Sequence, residues 1–463
     1  MAKEFIVAIE LGSSKMTGIA GKKNPDGSIS VLAVASEDSS SCIRKGYVYN
    51  IDKTAQCLTN IVGKLKTTLK TEIEQVFVAI GGQSIHGVRN VINKELPADA
   101  IVTQDMVNEM MDINRSMTYP DYMILDAAPQ EYKVDTQLQV DPVGIQARHV
   151  EAHFVNILWR KILANRLKKS FDAAGIRVAE TYTSALVLAD SVLTESEKRA
   201  GCLLVDLGAD TTTVAVYHRD ILRHLAVIPL GGNNITKDIA SLPTEERVAE
   251  QMKLKYASAY TAAENIDQTL TYPIDHDRSV ESAKFVQIVE ARVAEIIENV
   301  WRQVPNELMP NLLGGIVLTG GGSNMPNIEK AFTEHTGVQK IRTAKFSTLT
   351  VTTSSAKLIL PHDGTMNTLL GLLARGDMNC AGVELGKTLF PEDKPAEPVA
   401  TTTETTAETT KPVTKKEEPL PKKEEPEPEP EEEEKPARPS LFKRMSGAFG
   451  KFVNTITEPD GNE

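Results

Sequence analysis

Two stretches decide the reading of this chain. The first is Phe5-Ile6-Val7-Ala8-Ile9-Glu10-Leu11-Gly12-Ser13-Ser14-Lys15. The second is Gly201-Cys202-Leu203-Leu204-Val205-Asp206-Leu207-Gly208-Ala209-Asp210-Thr211-Thr212-Thr213. Each opens with a short apolar run of the kind that forms a fully buried strand. Each run ends in a carboxylate followed by a turn of small and hydroxylated residues. Hairpin arms follow both: Thr17 to Lys22 and Ser28 to Ala35 around Asn24-Pro25-Asp26-Gly27, then Thr212 to Tyr217 and Ile221 to Val227. The chain therefore contains an internal duplication, and two such halves imply a cleft between them.

Strand and helix signals alternate through the rest of the folded region, which predicts α/β architecture. Lys53 to Leu69 has helical spacing at Ala55, Leu58, Ile61, Val62 and Leu65. Gln75 to Ile80 reads as a strand ending at Gly81-Gly82. Gly315-Ile316-Val317-Leu318-Thr319 reads as a strand feeding Gly320-Gly321-Gly322-Ser323-Asn324, with Pro326 opening a helix at Asn327.

The chemistry of these turns suits a phosphorylated ligand. Glu10 and Asp206, at strand ends, would hold Mg²⁺, through waters because magnesium keeps much of its hydration. Gly12 and Gly208 let backbone approach a ligand. Ser13, Ser14, Thr211 and Thr212 offer hydroxyls to phosphate, and Lys15 adds a mobile cation. Gly320, Gly321 and Gly322 leave room for a base and ribose, and the following helix N-terminus favours anions. The P-loop pattern G-x-x-x-x-G-K-[ST] is absent, as is G-x-G-x-x-G after the first strand. The Asp210 carboxylate is expected near the phosphates, where it would repel them.

Composition narrows the class further. The 463 residues carry a net charge of −12, against the basic footprint of general nucleic-acid binding. Four cysteines (Cys42, Cys57, Cys202, Cys380) form no C-x-x-C pair, which fits a reducing compartment and gives no zinc signal. Met1-Ala2-Lys3-Glu4-Phe5 has no signal-peptide character. No apolar run reaches the roughly 18–20 residues that span a bilayer. The expected chain is neither exported nor membrane-spanning.

From Pro391 to Pro439 large apolar residues nearly vanish, and proline, threonine and an acidic run to Glu434 take over. Such a segment cannot offset its ordering entropy and is expected to be a disordered linker. As a flexible chain it would span about 35–42 Å, more with its prolines and like charges. Apolar residues then return at Leu441, Phe442, Met445, Ala448, Phe449, Phe452, Val453 and Ile456. At 100° per residue they occupy one face of a helix over about 440–457, which Ser440 can cap. Lys443, Arg444 and Lys451 lie outside that stripe. A basic amphipathic helix of this kind fits an in-plane anchor on anionic lipid. Single-helix binding is weak, and a polymer presenting many helices would attach firmly by avidity.

These motifs together resemble the actin-like ATPase superfamily, in which two phosphate turns face each other across a cleft beside a glycine-rich adenosine turn. Within it, the chain resembles the FtsA family of bacterial division proteins. The stretches that carry this are Ile228-Pro229-Leu230-Gly231-Gly232-Asn233-Asn234-Ile235-Thr236-Lys237-Asp238, Leu125 to Asp135 with Asp141-Pro142-Val143-Gly144, and Ala249 to Tyr256. The resemblance spans about Phe5 to Val383. It implies a duplicated actin-like, ribonuclease H-like fold with an inserted subdomain 1C of SHS2 type. Its implied parts are 1A (1–84 and 159–198), 1C (85–158), 2A (199–240 and 314–390) and 2B (241–313), then the linker (391–439) and the helix (440–457).

The resemblance also implies ATP with Mg²⁺ as cofactors. Glu250 and Lys253 would reach ribose and adenine from one helix face, and Gly231 and Gly232 would line the nucleoside side. It implies a self-polymer through 1C, capture of the C-terminal peptide of the tubulin-like protein FtsZ by 2B near Arg292, and contacts to later division proteins. The place implied is the cytoplasmic face of the plasma membrane at the septum. Three positions depart from the family pattern: Glu10 for Asp, Ala209-Asp210 for Gly-Gly, and Thr213 for a frequent second Asp. No residue stands out as a water-activating base, so hydrolysis is left open. Two other readings share parts of the pattern. A small-molecule kinase would need an acceptor pocket with an aspartate base, and none is evident. A pilus-assembly adaptor of the PilM type would leave the linker and terminal helix unexplained.

Overall fold

The strand Ile6–Leu11 is rich in apolar residues and buried from Ile6 to Ile9, as a central strand must be. It pairs in parallel with Gln75–Ile80 and antiparallel with Lys15–Lys23. In the computed structural model, which describes residues 4–384, a six-stranded sheet runs Arg177–Thr183, Gln75–Ile80, Ile6–Leu11, Lys15–Lys23, Ile29–Asp38, Val351–Thr353. The helix Ile51–Leu69 covers it with Leu58, Ile61, Val62 and Leu65 buried. It starts two residues before the predicted Lys53, because the Asn50 side chain accepts from Lys53 N–H as an N-cap.

The second half repeats this plan. Cys202–Leu207 pairs in parallel with Gly315–Thr319 and antiparallel with Thr212–His218. The repeat holds to the level of register. Glu10 pairs with Thr17 and Leu11 with Met16, while Asp206 pairs with Thr213 and Leu207 with Thr212. A second core forms under this sheet, with Phe285, Val289, Ile297 and Val300 of the helix Ser282–Gln303 against Leu203, Val205 and Val214.

The segment between Gly82 and Trp159 has its own core, including Met110, Tyr132, Val150 and Phe154. Its helix Gln104–Arg115 is capped by Thr103. Although inserted in the first half of the sequence, its strands extend the second half's sheet. The nine-stranded order is Gln137–Gln139, Tyr122–Val134, His149–Arg160, His86–Glu95, Ile221–Ile228, Thr212–His218, Cys202–Leu207, Gly315–Thr319, Ile341–Thr343. The seam is one bridge, His86 to Ala226. Side-chain links reinforce it: Gln130 Nε2 donates to Leu222 O at 2.7 Å, Arg223 grips Glu131 at 3.0 and 3.1 Å, and Arg219 reaches the same carboxylate at 3.4 Å.

One expected boundary is corrected. Residues 314–390 are not all part of the second half. After about Lys345 the chain returns to the first: Val351–Thr353 pairs with Ile29 to Val31, and the helix Asn367–Arg375 buries Leu369, Leu370, Leu372 and Leu373 in the first core. The strand Ala381–Glu384 then pairs with Thr71–Ile73. Strand and helix patterns alone do not reveal which sheet a late element rejoins. No helix among the described residues is long and apolar enough to cross a membrane. The expected linker over 391–439 and the amphipathic helix over 440–457, with Leu441, Phe442, Lys443, Arg444, Met445, Phe449, Lys451, Phe452, Val453 and Ile456, lie outside the described residues.

Candidate functional site

Between the halves lies a cavity of about 510 Å³, the size of many small-molecule sites. Both turns line it, as do Gly231, Gly232, Glu250, Lys253 and Gly320 to Gly322. Each turn is closed in the same way. A Cβ on Gly12 would lie 2.5 Å from the carbonyl oxygen of Lys15, and one on Gly208 would lie 2.7 Å from that of Thr211. Glycine is required at both positions because the blocking atom is backbone. Gly320, at φ +81°, has the same necessity: a Cβ there would overlap the Asp206 carboxylate.

Glu10 and Asp206 bring one carboxylate from each half to this cavity. Burial raises the Glu10 pKa to about 7, with the Asp206 charge adding to the effect and Thr368 and Lys15 opposing it. Burial raises Asp206 to about 6. Two carboxylates driven towards neutrality by burial, with Glu10 pushed further by the Asp206 charge, form a place where a cation is favoured. No cluster of three or more metal-type ligands occurs among the described residues, so most ligands of a cation here would be water or bound phosphate.

In the first turn, Ser13 is buried and its Oγ accepts from Gly46 N–H at 3.0 Å. That leaves its own proton to donate. Lys15 extends along the cavity and its Nζ donates to Thr365 Oγ1 at 3.4 Å. Ser39 Oγ donates to Gly12 O at 2.6 Å and fixes the turn. Ser14 is exposed. In the second turn, Gly231 packs on Gly208 and Ala209, and Gly232 N–H donates to Gly208 O at 3.0 Å. Lys253 Nζ reaches Glu250 Oε2 at 2.7 Å, Thr236 Oγ1 at 2.9 Å and Gly232 O at 3.1 Å. Glu250 and Lys253 therefore share one helix face on the cavity wall, at the spacing their sequence positions imply.

Two expectations change. Thr212 does not face the cavity. It is fully buried and its Oγ1 donates to Leu230 O at 2.9 Å. It occupies the register position of Met16 in the first half, so strand alternation turns it to the core, and Thr213 lines the cavity in its place. Asp210 does not aim at the phosphate region either. Its carboxylate accepts from Asn233 Nδ2 at 2.8 Å and from Lys45 N–H at 3.0 Å. Sequence reading also missed Gly46, Gly364, Thr365 and Thr368, which line or adjoin the cavity. A glycine just after Lys45 in a two-residue hairpin was the available signal for the first. The other three arrive on the returning chain and leave no local signal.

Arg292, on the helix Ser282–Gln303, is held by its neighbours rather than left solvated. It makes a bidentate pair with Asp238 at 2.5 and 3.1 Å and a further pair with Glu295.

Two half-structures with matched turns, a shared cleft and an inserted domain define the actin-like class of fold. The chain is similar to a solved chain titled PilM-PilN type IV pilus biogenesis complex, with a TM-score of 0.57 at 17% identity over 80% of this chain and 98% of that one. That likeness concerns the fold alone. The family model described as cell division protein FtsA matches residues 203–357, and the SHS2 domain inserted in FtsA matches residues 82–158. The cell division protein FtsA of Neisseria meningitidis is 31% identical over 368 residues, covering 75% of this chain and 88% of the relative. That of Porphyromonas gingivalis is 29% identical over 326 residues, covering 69% and 68%. This chain belongs to the FtsA family of cell division proteins.

Proposed function

We propose that the chain binds ATP with Mg²⁺ in the cleft, polymerises, and ties FtsZ filaments to the cytoplasmic face of the plasma membrane at the division septum, where it helps bring in later division proteins. The observation that carries the nucleotide part is the pair of register-matched turns with opposed carboxylates whose pKa values are raised. Glu10 and Asp206 hold the hydrated cation, which neutralises phosphate charge. Gly12, Ser13, Ser14, Lys15, Gly208 and Thr211 contact phosphates. The Ser13 hydroxyl donates because Gly46 already occupies its acceptor side. Glu250, Lys253, Gly231, Gly232 and Gly320 to Gly322 flank the nucleoside. The C-terminal peptide of FtsZ docks in or beside the face that carries Arg292, whose guanidinium is held in place by Asp238 and Glu295. The basic amphipathic segment over 440–457 supplies the membrane contact, and polymerisation multiplies it.

Sedimentation with anionic liposomes and ATP tests the whole reading. The full chain should pellet, a chain ending at Arg438 should stay in the supernatant, and FtsZ should co-sediment only with the former. Pelleting that is independent of residues 439–463 would overturn the membrane assignment.

A further inference from the structure

The strands Ile43–Arg44 and Tyr47–Val48 form a small hairpin whose two turn residues, Lys45 and Gly46, both have positive φ, 48° and 75°. This is the geometry of a tight two-residue hairpin turn, and it aims successive N–H groups outward. The Gly46 N–H donates to Ser13 Oγ of the first turn at 3.0 Å. The Lys45 N–H donates to Asp210 Oδ2 of the second turn, also at 3.0 Å. Two adjacent peptide groups thus hold one side chain from each half of the molecule.

The tip itself has little freedom. A Cβ on Gly46 would lie 2.5 Å from Gly82 Cα, and Gln83 N–H donates to Lys45 O at 3.1 Å. The backbone after the strand Gln75–Ile80 therefore presses the tip into place. On the other side, Asn233 Nδ2 holds Asp210 Oδ1 at 2.8 Å, and Asn233 N–H donates to Ala209 O at 2.7 Å. The chain of contacts runs unbroken from the first sheet, through the hairpin tip, to the helix Gly232–Ala240 of the second half.

We propose that the Lys45–Gly46 tip is a clamp joining the two phosphate turns across the cleft, with Asp210 as the positioning residue that closes it. The inference rests on the nucleotide reading above and adds to it. Bound nucleoside triphosphate would be retained because the turns that flank it are linked by the Asp210 to Lys45 bond. Asp210 acts through the protein and does not touch the ligand.

The test uses the full chain and two readouts. The first is amide hydrogen exchange at Lys45 and Gly46 without nucleotide. The second is the release rate of a fluorescent ATP analogue loaded with Mg²⁺. Loss of a hydrogen bond to a charged acceptor predicts that Asp210→Ala speeds Lys45 exchange and analogue release by about tenfold or more each. Asp210→Asn keeps an oxygen for the Lys45 N–H, with its NH2 facing the Asn233 side-chain amide, which can turn to accept, and without the charge it should fall between the unaltered chain and Asp210→Ala in both. Ser13→Ala should speed exchange at Gly46 while Lys45 stays protected. Unchanged Lys45 exchange in Asp210→Ala overturns the clamp. Faster exchange with unchanged release overturns its role in retaining nucleotide. Failure of the unaltered chain to bind the analogue overturns the nucleotide reading and that role together, and the exchange data then decide the link between the turns by themselves.

Discussion

The two turns share a backbone and divide the chemistry. Aligned by register, Glu10 corresponds to Asp206, Gly12 to Gly208, Ser13 to Ala209, Ser14 to Asp210, Lys15 to Thr211 and Met16 to Thr212. The glycine that closes the turn and the strand-end carboxylate are kept in both. A hydroxyl directly after the glycine and a cation occur in the first turn alone, at Ser13 and Lys15, while the second turn offers its hydroxyl at Thr211. The second turn has Ala209 in place of the hydroxyl and spends Asp210 on contacts to Asn233 and Lys45. A duplicated frame thus carries different side chains at matched positions, a lysine extended along the cavity in one turn and a carboxylate engaged by the protein in the other.

The harshest way to break the symmetry is at the glycines. Gly12→Ala and Gly208→Ala each place a Cβ against a backbone carbonyl three residues on, and neither can be relieved by a side-chain rotation. Each should cost about 3 kcal/mol of stability in chemical denaturation, with nearly equal losses. A cost confined to one of them would show that the turns are not equivalent.

The carboxylates sharpen the comparison through pH. Glu10 sits at about 7 in the folded protein against an ordinary 4.5. The folded state therefore holds its proton longer than the unfolded chain, and nucleotide-free stability falls as pH rises from about 4.5 through 7. Glu10→Gln should remove that fall and raise stability at pH 8 by about 2 kcal/mol, while weakening Mg²⁺-nucleotide binding at least tenfold by calorimetry. Asp206→Asn should act in the same direction with a smaller gain, since Asp206 reaches about 6 from 3.8.

Glu197, bound to Arg342 of the second half's sheet, provides the opposite case. Burial would raise it, but bonds from Arg342 at 2.6 and 2.7 Å and from Thr194 outweigh burial and hold it at about 2. Its stabilisation is present above about 4.5 and is lost as pH falls towards 2. Arg342→Met should shrink that acid-side loss, leaving the part due to Thr194, and cost roughly 2 kcal/mol at pH 7, read from urea titrations at pH 3 and 7.

The smallest effect separates adjacent threonines. Thr212→Val removes the bond to Leu230 O and should cost about 1 kcal/mol with nucleotide affinity unchanged. Thr213→Val lies on the cavity wall and should change affinity more than stability. Equal affinity losses would mean that strand alternation does not sort these two side chains.

Much of this was legible in the sequence because strand ends and glycines act locally. The apolar run, the carboxylate and the glycine that follows are consecutive, so both turns and the doubled plan could be read directly. Thr212 was misplaced for a reason also present in the sequence: carrying the register of the first hairpin onto the second would have put it on Met16. The returning segment could not be read, because Leu369 and Leu370 fit the core of either half equally well as a pattern. Nor could the sheet membership of the inserted domain. A seam of one backbone bridge and the Glu131–Arg223 pair depends on where two distant strands meet, and neither strand carries a mark of it.

The return of the chain also sets a load path. The last described strand, Ala381–Glu384, is paired to Thr71–Ile73 at the foot of the helix Ile51–Leu69. Tension applied to the chain at Glu384 enters the molecule there, through a strand pair of the first half. The strand that first takes such a load, Thr71–Ile73, belongs to neither of the two turns.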